Sequence, residues 1–284
     1  MAAAESTVAA LARGRALLVA ADCVDASLDA RLLLQAVLGF DHAGLILAGE
    51  RMLSAEDMAR YDALLLRRAA DEPVSKILGV REFYGRPFRV TAYVLDPRAD
   101  TETLVELALE QALPAGGHVL DLGSGSGALI CTLLAEWPQA TGVAVDLSPA
   151  ALQVTEENAR ALGVDDRLTV LEGAWFAPVA GRFDLIVSNP PYIPSGDIAG
   201  LQPEVRAHDP HLALDGGPDG LTCYRAIAAG AAAHLAPAGR IIVEVGAGQA
   251  ADVSSIFAGA GFHLSAERRD LGGHIRALQF GQLA

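Results

Sequence analysis

The chain has 284 residues, long for one domain of ~100–200 residues and natural for two. Its 52% hydrophobic content supplies a core and excludes a disordered tail or a disulfide-stapled miniature. With 35 acidic against 21 basic residues the formal net charge is -14, which argues against a protein held on nucleic acid mainly by phosphate neutralisation.

Residues 1–21 are apolar but interrupted by Glu5, Arg13, Gly14 and Arg15, and so lack the compact run of a signal peptide. No stretch approaches the ~20 continuous apolar residues that cross a bilayer. Cys23, Cys131 and Cys223 lie far apart in an odd count, the pattern of reduced thiols. The expectation is a cytoplasmic protein.

From Thr7 to Ala70 the apolar residues recur at helical spacing, as in Leu28, Leu32 and Leu33 or Met58, Tyr61, Leu64 and Leu65. Ser6, Ser27 and Ser54 are the expected helix starts, the last with Asp57 three residues on in a capping-box-like arrangement. Residues 1–72 therefore read as a small all-helical domain of four or five helices, closed by Asp71-Glu72-Pro73. Residues 73–99 read as a linker hairpin, with Lys76-Ile77-Leu78-Gly79 and Phe88-Arg89-Val90 flanking Tyr84-Gly85-Arg86-Pro87. Residues 100–284 form the larger domain, opening with a helix from about Asp100 to Leu113.

A regular alternation follows. Strands are expected at 118–122, 141–146, 168–171, 183–188 and 240–245, with helices at 128–136, 149–162 and 221–235. Short continuous apolar strands between helices mean an α/β domain, its parallel sheet covered on both faces. Phe262-His263-Leu264 and Ile275-Arg276-Ala277-Leu278 add two strands as an antiparallel edge hairpin.

Asp121-Leu122-Gly123-Ser124-Gly125-Ser126-Gly127 sits where the first of these strands meets a helix. Glycines there let the backbone approach a ligand, with amide N–H groups facing it at the helix N-terminus. No Gly-Lys-Ser/Thr follows, so a Walker loop is excluded. Asp146 closes the next strand, where a carboxylate accepts from ribose hydroxyls; it could equally cap the helix opening at Ser148-Pro149. Asp121 could bind an ammonium group. Loop and Asp146 together indicate an adenosine cofactor without saying which.

Ser188-Asn189-Pro190-Pro191-Tyr192 follows the fourth strand, on the same sheet edge. Two prolines stiffen the backbone, so the Asn189 side chain and the Pro190 carbonyl can converge as acceptors for the two N–H hydrogens of a planar amide or aromatic amine. Tyr192 offers that group a flat face.

D-L-G-S-G-S-G, Asp146 and N-P-P-Y resemble the class I S-adenosylmethionine-dependent methyltransferases of planar amino groups. Glu72-Pro73-Val74, Arg81-Glu82-Phe83-Tyr84-Gly85, Pro97-Arg98-Ala99-Asp100-Thr101-Glu102, Leu214-Asp215-Gly216-Gly217 and Asp270-Leu271-Gly272-Gly273-His274-Ile275-Arg276 narrow the likeness. They resemble the peptide chain release factor N5-glutamine methyltransferases, the HemK/PrmC family. The resemblance implies a Rossmann-like seven-stranded sheet behind the helical N-terminal domain. It implies that Asp121, Gly123, Ser124, Gly125, Ser126, Gly127, Asp146, Leu147, Trp175 and Asn189 bind S-adenosyl-L-methionine. Asn189, Pro190, Pro191 and Tyr192 would hold the glutamine of a Gly-Gly-Gln loop, with Asn189, Pro190 and Tyr192 catalytic. No metal is expected, because Pro210 breaks the helix between His208 and His211 and no third ligand is near them in sequence. The partner implied is a class I release factor, met by a monomer without stable nucleic-acid binding.

Three places depart from the family pattern: Asp96 and Ala99 around Pro97-Arg98, Ala174 before Trp175-Phe176, and His208-Asp209-Pro210. With Ala174 in place of a carboxylate, adenine depends more on Trp175 or backbone groups. Arg98, Asp100 and Glu102 read as an ion-pair network over the cofactor or as a solvated cluster. Glu244 reads as structural or as a loop-orienting acceptor. The alternatives are a methyltransferase of another planar amino group, on ribosomal-protein glutamine or an RNA or DNA base, and a non-catalytic cofactor-binding protein on the same fold.

Overall fold

The computed structural model describes residues 5–282, so both chain ends of the expected domains lie outside the described residues. It divides into two units: residues up to Gly79 with Gln202–His208, and Val80–Leu201 with the chain from Asp209 onward.

The first unit is helical: α1 (Thr7–Ala20), α2 (Ala26–Leu38), α3 (His42–Leu47), α4 (Ala55–Ala69) and α5 (Val74–Leu78). Ser6 caps α1, accepting from Ala9 N–H. At α4 the Ser54 hydroxyl accepts from Asp57 N–H at 3.0 Å and donates to the Asp57 carboxylate at 2.8 Å. Ser27 is not a cap. The first turn-closing bond of α2 runs from Asp29 N–H to Asp25 O, so the helix begins at Ala26. Pro73 stops α4 as expected but also opens α5, where its missing N–H costs nothing. Lys76 to Gly79 is therefore the end of a helix and its left-handed cap rather than a strand flank.

Leu18, Leu33, Leu34, Tyr61, Leu65 and Ile77 fill the core of this unit. Tyr61 donates to Ala30 O at 2.9 Å, and its ring passes so close to α1 that a Cβ on Gly14 would lie 2.1 Å from the phenol oxygen. Arg68 is buried against Asp29 at 2.7 Å and also reaches Glu204 at 3.2 Å.

The second unit begins with β1 (Val80–Phe83) and β2 (Arg86–Arg89), an antiparallel hairpin turning at Tyr84-Gly85. A 3-10 turn, Ala99–Thr101, leads into α6 (Glu102–Leu109), which ends four residues before the expected Leu113. Then come β3 (His118–Leu122), α7 (Ala128–Glu136), β4 (Thr141–Asp146), α8 (Pro149–Leu162), β5 (Leu168–Glu172) and β6 (Phe183–Ser188). After α9 (Pro203–His208), within the helical unit, follow α10 (Thr222–His234), β7 (Leu235–Glu244), α11 (Ala250–Gly259), β8 (Phe262–Arg269) and β9 (Ile275–Gln282). Strand β7 starts five residues before the expected position 240. The periodicity missed α11, whose core face is little more than Val253 and Phe257.

Among the described residues the sheet has seven strands in the order β5-β4-β3-β6-β7-β9-β8. Neighbours from β5 to β7 are parallel, and β9 runs antiparallel to both β7 and β8. Alternate side chains feed two cores. Val119, Leu185, Val187 and Ile242 face α6, α7 and α8, whereas Leu120, Ile186, Ile241 and Val243 face α10 and α11. The chain leaves β3 toward β4 and β5, then returns to lay β6 on the other side of β3. That reversal opens a crevice beyond the carboxyl ends of β3 and β6.

Candidate active site

The glycine loop leaves β3 and the Asn189-Pro190-Pro191-Tyr192 segment leaves β6, so both border the crevice. A cavity of about 450 Å³ lies there, within the ~300–1,000 Å³ usual for a small-molecule site. Gly123, Ser124, Gly125, Ser126, Asp146, Leu147, Trp175, Asn189 and Pro191 line it. Asp121, Gly127, Pro190 and Tyr192 lie outside the lining.

Backbone bonds hold the loop's first turn. Gly123 and Ser124 N–H donate to Val145 O at 2.8 and 3.0 Å, and Gly127 N–H to Ser124 O at 2.7 Å. The outer carbonyls are held by α8: Thr155 donates to Gly125 O at 3.0 Å and Asn158 to Ser126 O at 2.8 Å. These buried polar residues, three apart on the inward face of α8, support the loop and are not apparent from its own motif. Gly123 and Gly125 adopt positive φ, and a Cβ on either would meet nothing within 4 Å. The space in front of the loop is open, as a cofactor cradle requires.

Asp146 accepts from Gly125 N–H and Ser148 N–H, both at 2.9 Å. Ser148, not Asp146, caps α8. The Asp146 carboxylate is thereby held at the cavity edge with lone pairs to spare for hydroxyl donors. Trp175 stands beside it at positive φ, while Ala174 is exposed and off the lining. Asp121 is 1% exposed, and neither carboxylate oxygen meets a well-aligned hydrogen-bond donor among the described residues. Burial pushes its pKa up to about 7 against the pull of the Ile130 N–H, and Asp146 adds to the rise. A buried carboxyl so poorly satisfied behind the loop is suited to a cation. Cradle, hydroxyl acceptor, indole and acidic end together fit S-adenosylmethionine.

Ala92 to Pro97 also line the cavity, with Asp96 5% exposed where the family pattern has an apolar residue. Arg98, Asp100 and Glu102 do not form one network. Arg98 pairs with Asp209 at 2.9 Å, Asp100 faces Arg276 at 3.4 Å, and Glu102 accepts from Tyr84 N–H at 2.8 Å. Their partners come from segments far apart in sequence, so spacing alone could not pair them.

Asn189 donates from Nδ2 to Thr101 Oγ1 at 3.1 Å, and Thr101 donates to Glu244 Oε2 at 2.6 Å. Glu244 is 2% exposed; burial first, and Asp100 after it, push its pKa up to about 7 against the pull of Thr101, Arg276 and Tyr192. The Tyr192 hydroxyl stands 3.4 Å from Glu244 Oε1, and burial raises its own pKa. Gln249 Nε2 holds Tyr192 O at 2.9 Å, and a Cβ on Gly220 would come within 2.4 Å of that oxygen. Thr101, Glu244 and Gln249 were not among the expected site residues, because each acts only through a partner distant in sequence.

The PrmC N-terminal domain model matches residues 9–79 and the methyltransferase small domain model residues 98–200. A crystal structure of a methyltransferase from Pyrococcus furiosus shares the fold, with a TM-score of 0.52 at 17% identity over 78% of this chain and 98% of that one. The release factor glutamine methyltransferase of Rhodospirillum rubrum is 49% identical over 88% of this chain and 77% of its own. That of Cereibacter sphaeroides is 50% identical over 91% of this chain and 92% of its own. At such identity over nearly the full length of a relative, the chain belongs to the release factor glutamine methyltransferase family.

Proposed function

We propose that this protein methylates the side-chain amide nitrogen of the glutamine in the Gly-Gly-Gln loop of class I peptide chain release factors, giving N5-methylglutamine. The observation that carries the reading is Asn189 on the wall of the same cavity as the glycine loop. S-adenosylmethionine, when bound, supplies an electrophilic methyl group. Gly123 to Gly127 offer it backbone N–H groups, Asp146 accepts from its ribose, Leu147 and Trp175 flank adenine, and Asp121 draws its ammonium end.

An amide nitrogen is a poor nucleophile, and no side chain is basic enough to deprotonate it beforehand. Asn189 Oδ1 and the Pro190 carbonyl accept its two N–H hydrogens, fix the plane of the amide and stabilise charge growing on nitrogen. Pro191 stiffens the turn, and Tyr192 packs beside the amide and keeps water out. The helical unit, residues up to Gly79 with Gln202–His208, grips the release factor, and the unit from Val80 to Leu201 with the chain from Asp209 onward carries out the transfer. The protein works as a monomer in the cytoplasm; a net charge of -14 disfavours stable nucleic-acid binding. Among the described residues no helix is long and apolar enough to cross a membrane.

The test is transfer of label from S-adenosylmethionine to purified release factor, to its Gly-Gly-Ala variant, and by Asn189→Ala enzyme. Label is expected on the wild-type factor only, with Asn189→Ala lowering kcat/KM by about 10²–10³-fold. Label on the Gly-Gly-Ala factor, or none on wild type while S-adenosylhomocysteine still binds, would overturn the reading.

A further inference from the structure

We propose that Glu244 and Thr101 act as positioning residues that set which end of the Asn189 amide faces the substrate. The proposal deepens the reading above and rests on Asn189 as the acceptor. Three elements meet here: the 3-10 turn before α6 carries Thr101, the end of β6 leads into Asn189, and the last residue of β7 is Glu244. Asn189 Nδ2, Thr101 Oγ1 and Glu244 Oε2 form a continuous chain with links of 3.1 and 2.6 Å.

A hydroxyl has a single proton, and a carboxylate can only accept. Once Thr101 donates to ionised Glu244, it has only lone pairs to offer Asn189. The Nδ2 end must then bind Thr101, and Oδ1 turns to the other side. Were the hydroxyl proton not committed to Glu244, it could serve Oδ1 instead. The amide would then turn its Nδ2 outward, setting donor against donor at the glutamine nitrogen. A primary amide is nearly symmetric in shape, so packing alone barely distinguishes the two orientations; the relay supplies the difference.

Besides Thr101, the Tyr192 hydroxyl reaches the carboxylate at Oε1, 3.4 Å away, and Tyr224 fixes the backbone of the same residue by donating to Glu244 O at 2.9 Å. The charges facing it are Arg276, itself paired with Asp270 at 2.8 Å, and Asp100, 3.4 Å from that same guanidinium. Burial outweighs Arg276, so Glu244 takes up a proton near pH 7 and the constraint on Thr101 relaxes as pH falls.

The test uses full-length enzyme carrying Thr101→Val, Thr101→Ser or Glu244→Gln. Thr101→Val keeps the shape without the hydroxyl and is expected to lower kcat about 100-fold, with KM for release factor changed by less than about three-fold. Thr101→Ser should restore kcat to within about five-fold of wild type. Wild-type kcat should fall as pH drops through about 7, and Glu244→Gln should be low and flat across that range. Independently of activity, the Asn189 side-chain N–H resonances, assigned by their loss in Asn189→Ala, are read for exchange with solvent. Protection is expected in wild type and Thr101→Ser and is lost in Thr101→Val. Unprotected wild-type resonances would overturn the relay, as would Thr101→Val with wild-type kcat. Should Thr101→Val fail to fold, a wild-type pH profile in Glu244→Gln would overturn it equally. Protected resonances in an enzyme that leaves release factor unlabelled would uphold the relay and sink the functional reading alone.

Discussion

Asp121 sits at the foot of the glycine loop with its carboxyl pKa raised to about 7 by burial. Its unfolded value is near 3.8, so between roughly pH 4 and 7 the native state holds the extra proton. Native stability therefore declines as pH rises through this window, and the penalty is complete above 7. Asp121→Asn removes the penalty. The variant should melt a few degrees above wild type at pH 8, and the difference should shrink toward pH 4 in thermal unfolding followed by circular dichroism. The same variant should bind S-adenosylhomocysteine more weakly, because the ammonium end loses its counter-charge. Asp121 could be singled out from its place in the motif. Its poor hydrogen bonding could not, because that depends on which backbone groups the folded loop presents.

The strand-to-helix turn at 123–127 combines two kinds of glycine. Gly125, at φ +56, faces open space, whereas at Gly127, φ +77, a Cβ would lie 2.9 Å from Thr155 Cγ2 and 3.3 Å from Cys131 Sγ. Alanine at either position costs about 1–2 kcal/mol for the left-handed backbone. Gly127→Ala adds a clash with α8 and should lower Tm more. Gly125→Ala instead places a methyl group in the cavity and should weaken S-adenosylhomocysteine by more than about ten-fold, while losing less stability. Melting and titration of both variants separate the two roles. Strands β3, β4 and β6 and helices α7 and α8 were legible because each is a continuous apolar run or a full 3.6-residue stripe. Helix α5 was not, since five residues carry too few turns for a period to register, nor was α11, which buries only Val253 and Phe257 and so shows no stripe. The start of β7 was hidden by Pro237 and Gly239, which read as a break; the strand is irregular there, with Ala238 at φ +62 and the pairing with β6 jumping from Leu235 to Arg240.

Charge acts on the protein as a whole. The formal net charge of -14 makes the compact state repel itself at neutral pH, and salt screens that repulsion. Buried Asp121 and Glu244 also lose their neutral form as pH rises. Carboxylates with lowered pKa, such as Glu72 beside Arg67 and Asp270 beside Arg276, have the opposite sign. Their contribution is present above the unfolded value and is lost only as pH falls through the lowered one. Between pH 8 and 5 the first two effects prevail. Tm should rise over that interval, and added salt should raise it more at pH 8 than at pH 5.5. A Tm highest at pH 8 in low salt would contradict this account.

The succession of elements, the α/β class, the glycine loop, Asp146 and the Asn189-Pro190-Pro191-Tyr192 segment were all readable along the chain. Each depends on neighbours within a few residues or on a short period, and such information is linear. Three features lie beyond that reach: the place of β9 between β7 and β8, the support of the loop by Thr155 and Asn158, and the chain from Glu244 through Thr101 to Asn189. A hydrogen bond between residues 88 or 143 positions apart leaves no local pattern, because its partners are brought together only when the sheet assembles and the low-dielectric core favours a mate for the polar atoms it buries.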